Sequence, residues 1–182
     1  MSTAGKSEQE KIRRESLDEI RKLGIDPYPS EGYEVNSYSK EILEHYDQKK
    51  NNFPDVSLAG RIMSRRIMGS ASFAEIQDSK GRIQIYVRRD DLCSGEDKTF
   101  YNTFFKKLLD IGDIIGVKGY VFKTQMGETT IHVKKLELLC KSLRPLPVVK
   151  EKDGKTWDAF TDPEQRYRDR SMDLVVNPHI KD

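Results

Sequence analysis

A mainly β fold is predicted: a five-stranded barrel with one helix between strands 3 and 4, preceded by N-terminal helices. Three observations predict it. Apolar residues switch from helical spacing to strict alternation at Val56. One apolar stripe recurring every four residues separates the third alternating segment from the fourth. The fifth segment slips its phase by one residue, as a strand does at a β-bulge where a barrel bends.

Residues 1–54 form an N-terminal helical extension. Ser7–Leu23 is a short helix, with Ile12, Ile20 and Leu23 near one face and Lys11, Arg13, Arg14, Arg21 and Lys22 around the rest. Gly24 stops it, and Pro27 and Pro29 prevent its resumption. A second helix begins near Ser39, where Ile42, Leu43 and Tyr46 share a face, and Asn51-Asn-Phe-Pro54 ends it. In the first strand Val56, Leu58, Gly60 and Ile62 point inward. Ala74 and Ile76 mark the second strand, Ser79-Lys-Gly81 a tight turn, and Ile83, Ile85 and Val87 the third, so these two form a hairpin. Phe100/Tyr101, Phe104/Phe105 and Leu108/Leu109 give the helix its stripe, and Gly112-Asp113 breaks it. Ile115, Val117, Gly119 and Val121 make the fourth strand. The fifth follows a turn at Gln125-Met-Gly127, with Ile131 and Val133 inward and then Leu136 and Leu138.

This layout, over residues 55–142, is that of the OB-fold. Residues 143–161 read as a linker: Leu143-Arg-Pro-Leu-Pro147 is proline-stiffened and Lys150–Lys155 is a charged loop. Asp162-Pro-Glu-Gln165 has the composition of a helix start, leading into a helix over Arg166–Val176 that stops at Asn177-Pro178. Residues 162–182 then open a further domain.

Of 182 residues, 36% are hydrophobic and 34% charged, enough apolar material for one compact domain with solvated ends. No apolar run approaches the ~18 residues of a membrane span, and the N-terminus lacks the apolar core of a signal peptide. A soluble, cytoplasmic protein is expected. Cys93, a loop thiol, and Cys140, a small apolar residue ending a strand, have no spacing that suggests a disulfide or zinc. No nucleotide-binding lysine loop, nucleophile elbow or paired metal histidines occurs, so the chain by itself is expected to be non-catalytic, without metal or cofactor. Charge is uneven. Seven basic residues face two acidic ones between Arg61 and Arg89, and six face two between Lys118 and Arg144, while the net charge is only +2. That is the footprint of a polyanion partner, or else a solvated charged sheet face.

Strand parity carries the binding argument. Putting Ala74, Ile76, Ile83 and Ile85 inside forces Phe73 and Gln84 outward on neighbouring strands, on the face with which this fold binds oligonucleotides. An outward phenyl ring among arginines can stack a splayed base; the alternative is a ring packed under the N-terminal helices. The Gln84 amide can accept from uracil N3–H and donate to a uracil carbonyl, a pattern that cytosine inverts. Arg66 can donate to a base carbonyl or phosphate, and Glu128 can accept from a base imino or amino group; the alternative for this pair is a surface ion pair. His132 is placed on the outer face of the fifth strand, open to solvent or RNA.

At these residues the chain resembles a known family. Gly60-Arg-Ile-Met-Ser-Arg-Arg-Ile-Met-Gly-Ser-Ala-Ser-Phe-Ala-Glu-Ile-Gln-Asp78, Gly81-Arg-Ile-Gln-Ile-Tyr-Val87 and Gly127-Glu-Thr-Thr-Ile-His132 resemble the anticodon-binding domain of class II lysyl-tRNA synthetases. So do Pro27-Tyr-Pro29, Leu143-Arg-Pro-Leu-Pro147 and Glu164-x-Arg-Tyr-Arg-x-Arg170. The resemblance implies that Phe73 stacks on an anticodon base, that Arg66 and Gln84 read the central uridine, and that Glu128 contacts a neighbouring uridine. It implies a lysine tRNA anticodon stem-loop as partner. It also implies a parent ligase that uses ATP and magnesium, is a homodimer at full length, and carries its catalytic motifs beyond the equivalent of residue 182. Thr129-Thr130 depart from the family's commoner Leu-Ser, and Asp169 and Ser171 depart from its usual residues near the C-terminus. Aspartyl- and asparaginyl-tRNA synthetases share the barrel and are the nearest alternatives, with a generic single-strand-binding OB-fold behind them.

Overall fold

Val56 starts a 13-residue strand whose first half is buried and whose second half runs out into solvent, and the ring of strands grows from it. The computed structural model describes residues 7–147, 150–152, 155–157 and 162–177. Five strands, β1 (Val56–Met68), β2 (Ala71–Gln77), β3 (Arg82–Arg88), β4 (Ile114–Lys123) and β5 (Thr129–Cys140), close in the order β1-β2-β3-β5-β4. All neighbours are antiparallel except β3 and β5, and β1 pairs with both β2 and β4. The inward residues predicted from alternation are buried, and Leu58, Ile62, Ile76, Ile85, Val117 and Ile131 have no exposed surface. The phase slip in β5 is a bulge: Lys118 faces Lys135 but Gly119 faces Val133, leaving Lys134 without an opposite number. Gly119 is required there, because a Cβ would lie 1.9 Å from the His132 carbonyl oxygen.

The helix closing one end of the ring, Phe100–Leu108, is a π-helix where the stripe predicts an α-helix. Its last turn is an i→i+5 bond from Leu109 N–H to the Phe104 carbonyl. Two adjacent apolar residues per turn suit the wider turn, and Tyr101, Phe104, Phe105 and Leu108 are all buried by it. Before it comes a four-residue helix, α3 (Arg89–Leu92), which the sequence does not signal. It leads into Cys93, which lies in the expected loop and is buried there.

In the N-terminal extension the helices form where expected, α1 (Glu8–Lys22) and α2 (Ser39–His45), but with a different inward face on α1. Arg13, Ser16, Leu17 and Ile20 are buried, whereas Ile12 and Leu23 are 51% and 41% exposed. Arg13 turns inward because its guanidinium donates to the carbonyls of Ile111 (2.8 Å) and Ser142 (3.1 Å), fastening α1 to the ring. On α2 Ile42 is buried but Leu43 is exposed. Asp78 joins α2 to the β2–β3 turn. Its carboxylate accepts from the backbone and hydroxyl of Ser39 (2.6 and 2.7 Å) and from the turn amides of Lys80 and Gly81. Asp78→Ala strips a helix start and a turn of acceptors together and is expected to cost about 1–2 kcal/mol in a urea unfolding titration.

Residues 145–182 group as a second compact unit. Within it β6 (Lys150–Lys152) pairs antiparallel with β7 (Lys155–Trp157), where the sequence predicts a charged loop. The C-terminal helix is two short helices, α4 (Pro163–Arg168) and α5 (Arg170–Val176), broken at Asp169. The buried Asp173 collects Arg166, Arg170 and Asn177 at 2.7–2.9 Å.

Candidate nucleic-acid interface

Strand register decides where the four candidate residues go. Arg66 on β1 lies opposite Phe73 on β2, and Gln84 on β3 lies opposite Glu75. Phe73 and Gln84 are therefore diagonal neighbours on one outward face. Glu128 lies in the β4–β5 turn, which brings it beside them. All four line a single open cavity of about 510 Å³, together with Ser64, Arg65, Glu75, Thr124 and Met126. Sequence parity could have supplied Glu75, which shares the outward side of β2 with Phe73. The exposed Met126 at the turn tip carries no comparable sequence signal.

Each side chain is presented differently. Phe73 is half-buried, with its ring 5.0 Å from that of Tyr86 on β3, its directly opposite residue. Tyr86 is itself backed by Phe122 and His132, at 6.0 and 5.1 Å. The ring is thus propped from the sheet side and lines the cavity. Gln84 donates one Nε2–H to the Thr130 hydroxyl at 2.9 Å. That leaves its carbonyl oxygen and its other N–H for the cavity. Arg66 and Glu128 both line the cavity, and among the described residues neither forms an ion pair. Glu75 is neutralised by Arg82 at 3.3 Å.

The uneven charge of the sequence is only partly a surface property. Arg61 and Arg65 donate to the backbone carbonyls of Gly112 and Phe105, and Lys141 is buried in ion pairs. Burial lowers the Arg65 guanidinium below its ordinary value. Among the described residues, the exposed cation that lines the cavity without an ion pair is Arg66. His132 also departs from expectation. It is on the outer side of β5, but Nε2 bonds Asp91 at 2.8 Å, Nδ1 bonds the Tyr120 hydroxyl at 3.0 Å, and only 12% of its side chain is exposed. Burial pushes the Asp91 carboxyl up, but the bonds from His132 and Lys134 outweigh this and hold it below its ordinary value. Among the described residues no group of three or more His, Cys, Asp or Glu could hold a metal ion, and no helix is long and apolar enough to cross a membrane.

Residues 56–139 match the family model described as an OB-fold nucleic acid binding domain. Over 177 residues, 97% of its length, the chain is 64% identical to Lysine–tRNA ligase of Porphyromonas gingivalis. The chain belongs to the lysine–tRNA ligase family. Lysine–tRNA ligases of Christiangramia forsetii and Azobacteroides pseudotrichonymphae are each 58% identical to it over 97% of its length. It spans about 30–35% of the length of these relatives, and that portion holds the OB-fold domain of a lysine–tRNA ligase. The aspartyl and asparaginyl alternatives give way to this match.

Proposed function

We propose that the 55–142 domain reads the anticodon loop of a lysine tRNA by base stacking and hydrogen bonding, for a longer lysine–tRNA ligase. The observation that carries this reading is the convergence of Arg66, Phe73, Gln84 and Glu128 on one open cavity, with the Gln84 amide held by one hydrogen. Phe73 offers a propped ring for a splayed base. Gln84 offers an acceptor and a donor side by side, the complement of uracil N3–H and its carbonyl. Arg66 donates to a carbonyl or phosphate of that central uridine, and Glu128 accepts from a neighbouring uridine. Residues 1–54 are the N-terminal helical extension, 143–161 link the domain onward, and 162–182 begin the catalytic part.

The parent protein, in this reading, is a cytoplasmic homodimer that joins lysine to tRNA, with ATP and magnesium supplying the activation chemistry. Reading the anticodon uses neither, and no step of ligation is assigned to residues of this chain. Its contribution is to grip the far end of the tRNA by its loop.

The test is a titration, at one fixed ionic strength, of a lysine anticodon stem-loop, the same hairpin with cytidine at the central position, and a linear pyrimidine oligonucleotide. Fixed salt matters because phosphate attraction alone imitates specificity when salt is low. The expected order is uridine hairpin, cytidine hairpin, linear strand. Gln84→Ala is expected to lose about 1–3 kcal/mol on the uridine hairpin and far less on the cytidine one. Equal binding of all three ligands would make the domain a generic single-strand binder.

A further inference from the structure

Beneath the cavity lies a side chain that none of the four roles uses. Thr130, at the start of β5, is fully buried and stands opposite Gln84 on β3. Its hydroxyl accepts from Gln84 Nε2–H at 2.9 Å and donates to the Glu128 carbonyl at 3.2 Å. The two bonds constrain one another. A hydroxyl has one hydrogen, and the Glu128 carbonyl, having none, takes it. Toward Gln84 only a lone pair remains. A carboxamide turned by half a rotation would aim its oxygen at that lone pair, so the turned form is disfavoured. Gln84 is left presenting its carbonyl and second N–H to the cavity in a fixed order.

That order is what separates uracil from cytosine. Uracil offers a donor at N3 beside a carbonyl, whereas cytosine offers an acceptor at N3 beside an amino donor. A carboxamide free to turn over serves either base equally well. We infer that Thr130 is a positioning residue: its hydroxyl fixes the polarity of the Gln84 amide and so sets the preference for uridine over cytidine. The same hydroxyl ties the Glu128 backbone to β3, so the two base-contacting side chains are held by one group. This rests on the proposed reading of uridine by Gln84.

Four proteins and two hairpins test it: the full chain, Thr130→Val, Thr130→Ser and Gln84→Ala, each titrated with the central-uridine and central-cytidine hairpins at the same salt. The ratio of the two affinities is taken on one preparation, so a partly unfolded variant still reports it. Thr130→Val is expected to cut the uridine preference about tenfold. Part of that change should come from tighter binding of the cytidine hairpin than the parent chain shows, which structural damage would not produce. Thr130→Ser keeps the hydroxyl and should keep the ratio. A Thr130→Val ratio equal to the parent's while Gln84→Ala loses its preference, or a serine variant that behaves like valine, overturns the role of Thr130 alone. A Gln84→Ala ratio equal to the parent's instead removes the uridine reading, and the role of Thr130 with it.

Discussion

Lys141→Met is expected to remove about 3–5 kcal/mol of folding stability, because it leaves a buried carboxylate without its cation. Lys141 has a fully buried side chain whose ammonium lies 2.9 Å from Asp113 and 2.5 Å from Asp110. Asp113, equally buried, also accepts from the backbone of Asp110 (2.7 Å) and Ser142 (2.8 Å). Around this pair the N-terminal extension is fastened: Tyr28 donates its hydroxyl to the Lys141 carbonyl, and the Lys141 amide donates to Pro27. The loss should therefore appear as one cooperative unfolding transition at a lower urea midpoint. It should also depend on pH. Burial raises the Asp113 carboxyl above its ordinary value even though Lys141 pulls it down. Between those two values the folded chain holds a proton that the unfolded chain has released, so stability falls as pH rises through that window. Removing Lys141 carries the window higher, and the methionine variant should recover much of its deficit in acid. A deficit below about 1 kcal/mol at neutral pH would show that the pair does not need its cation.

Phe73→Ala should weaken binding of the uridine-rich anticodon hairpin by about 1–3 kcal/mol, the usual worth of one stacked base. The ring is held in place on one side by Tyr86 and open on the other, so truncation removes a preformed platform. Phe73→Tyr keeps a ring of the same outline and should stay close to the parent in affinity. Because stacking accepts any base, the alanine variant should lose affinity for uridine and cytidine hairpins alike, unlike Gln84→Ala. Titrations of both hairpins separate the two effects. A Phe73→Ala chain that binds as tightly as its parent would take the ring out of the interface.

The part of this architecture legible from residue order is the part governed by period. Alternation located the five strands, their inward residues and the bulge near Lys134, because a strand's two faces see different solvents. The same parity put Phe73 and Gln84 on one side, the register brought Arg66 to them, and the β4–β5 turn brought Glu128. Long-range partners left no such trace. Arg13 and Lys141 look like surface cations, and only the carbonyls and carboxylates that meet them, up to 129 positions away, reveal them as buried. Apolar pairs spaced by four residues fit an α-helix and a π-helix alike, so the stripe of Phe100–Leu108 could not choose. Thr130 was invisible for a related reason: a threonine's choice of partners depends on the strand across from it, and sequence parity says nothing about a hydroxyl's direction.

A heteronuclear NMR titration of the isotope-labelled chain with the two hairpins watches the proposed contact itself. The side-chain amide of Gln84 and the ring of Phe73 should both shift as the central-uridine hairpin is added. With cytidine at that position the ring should still move while the amide stays near its unbound place. Hairpin binding that leaves both side chains unmoved, or shifts the amide equally for either base, would contradict uridine recognition at this cavity.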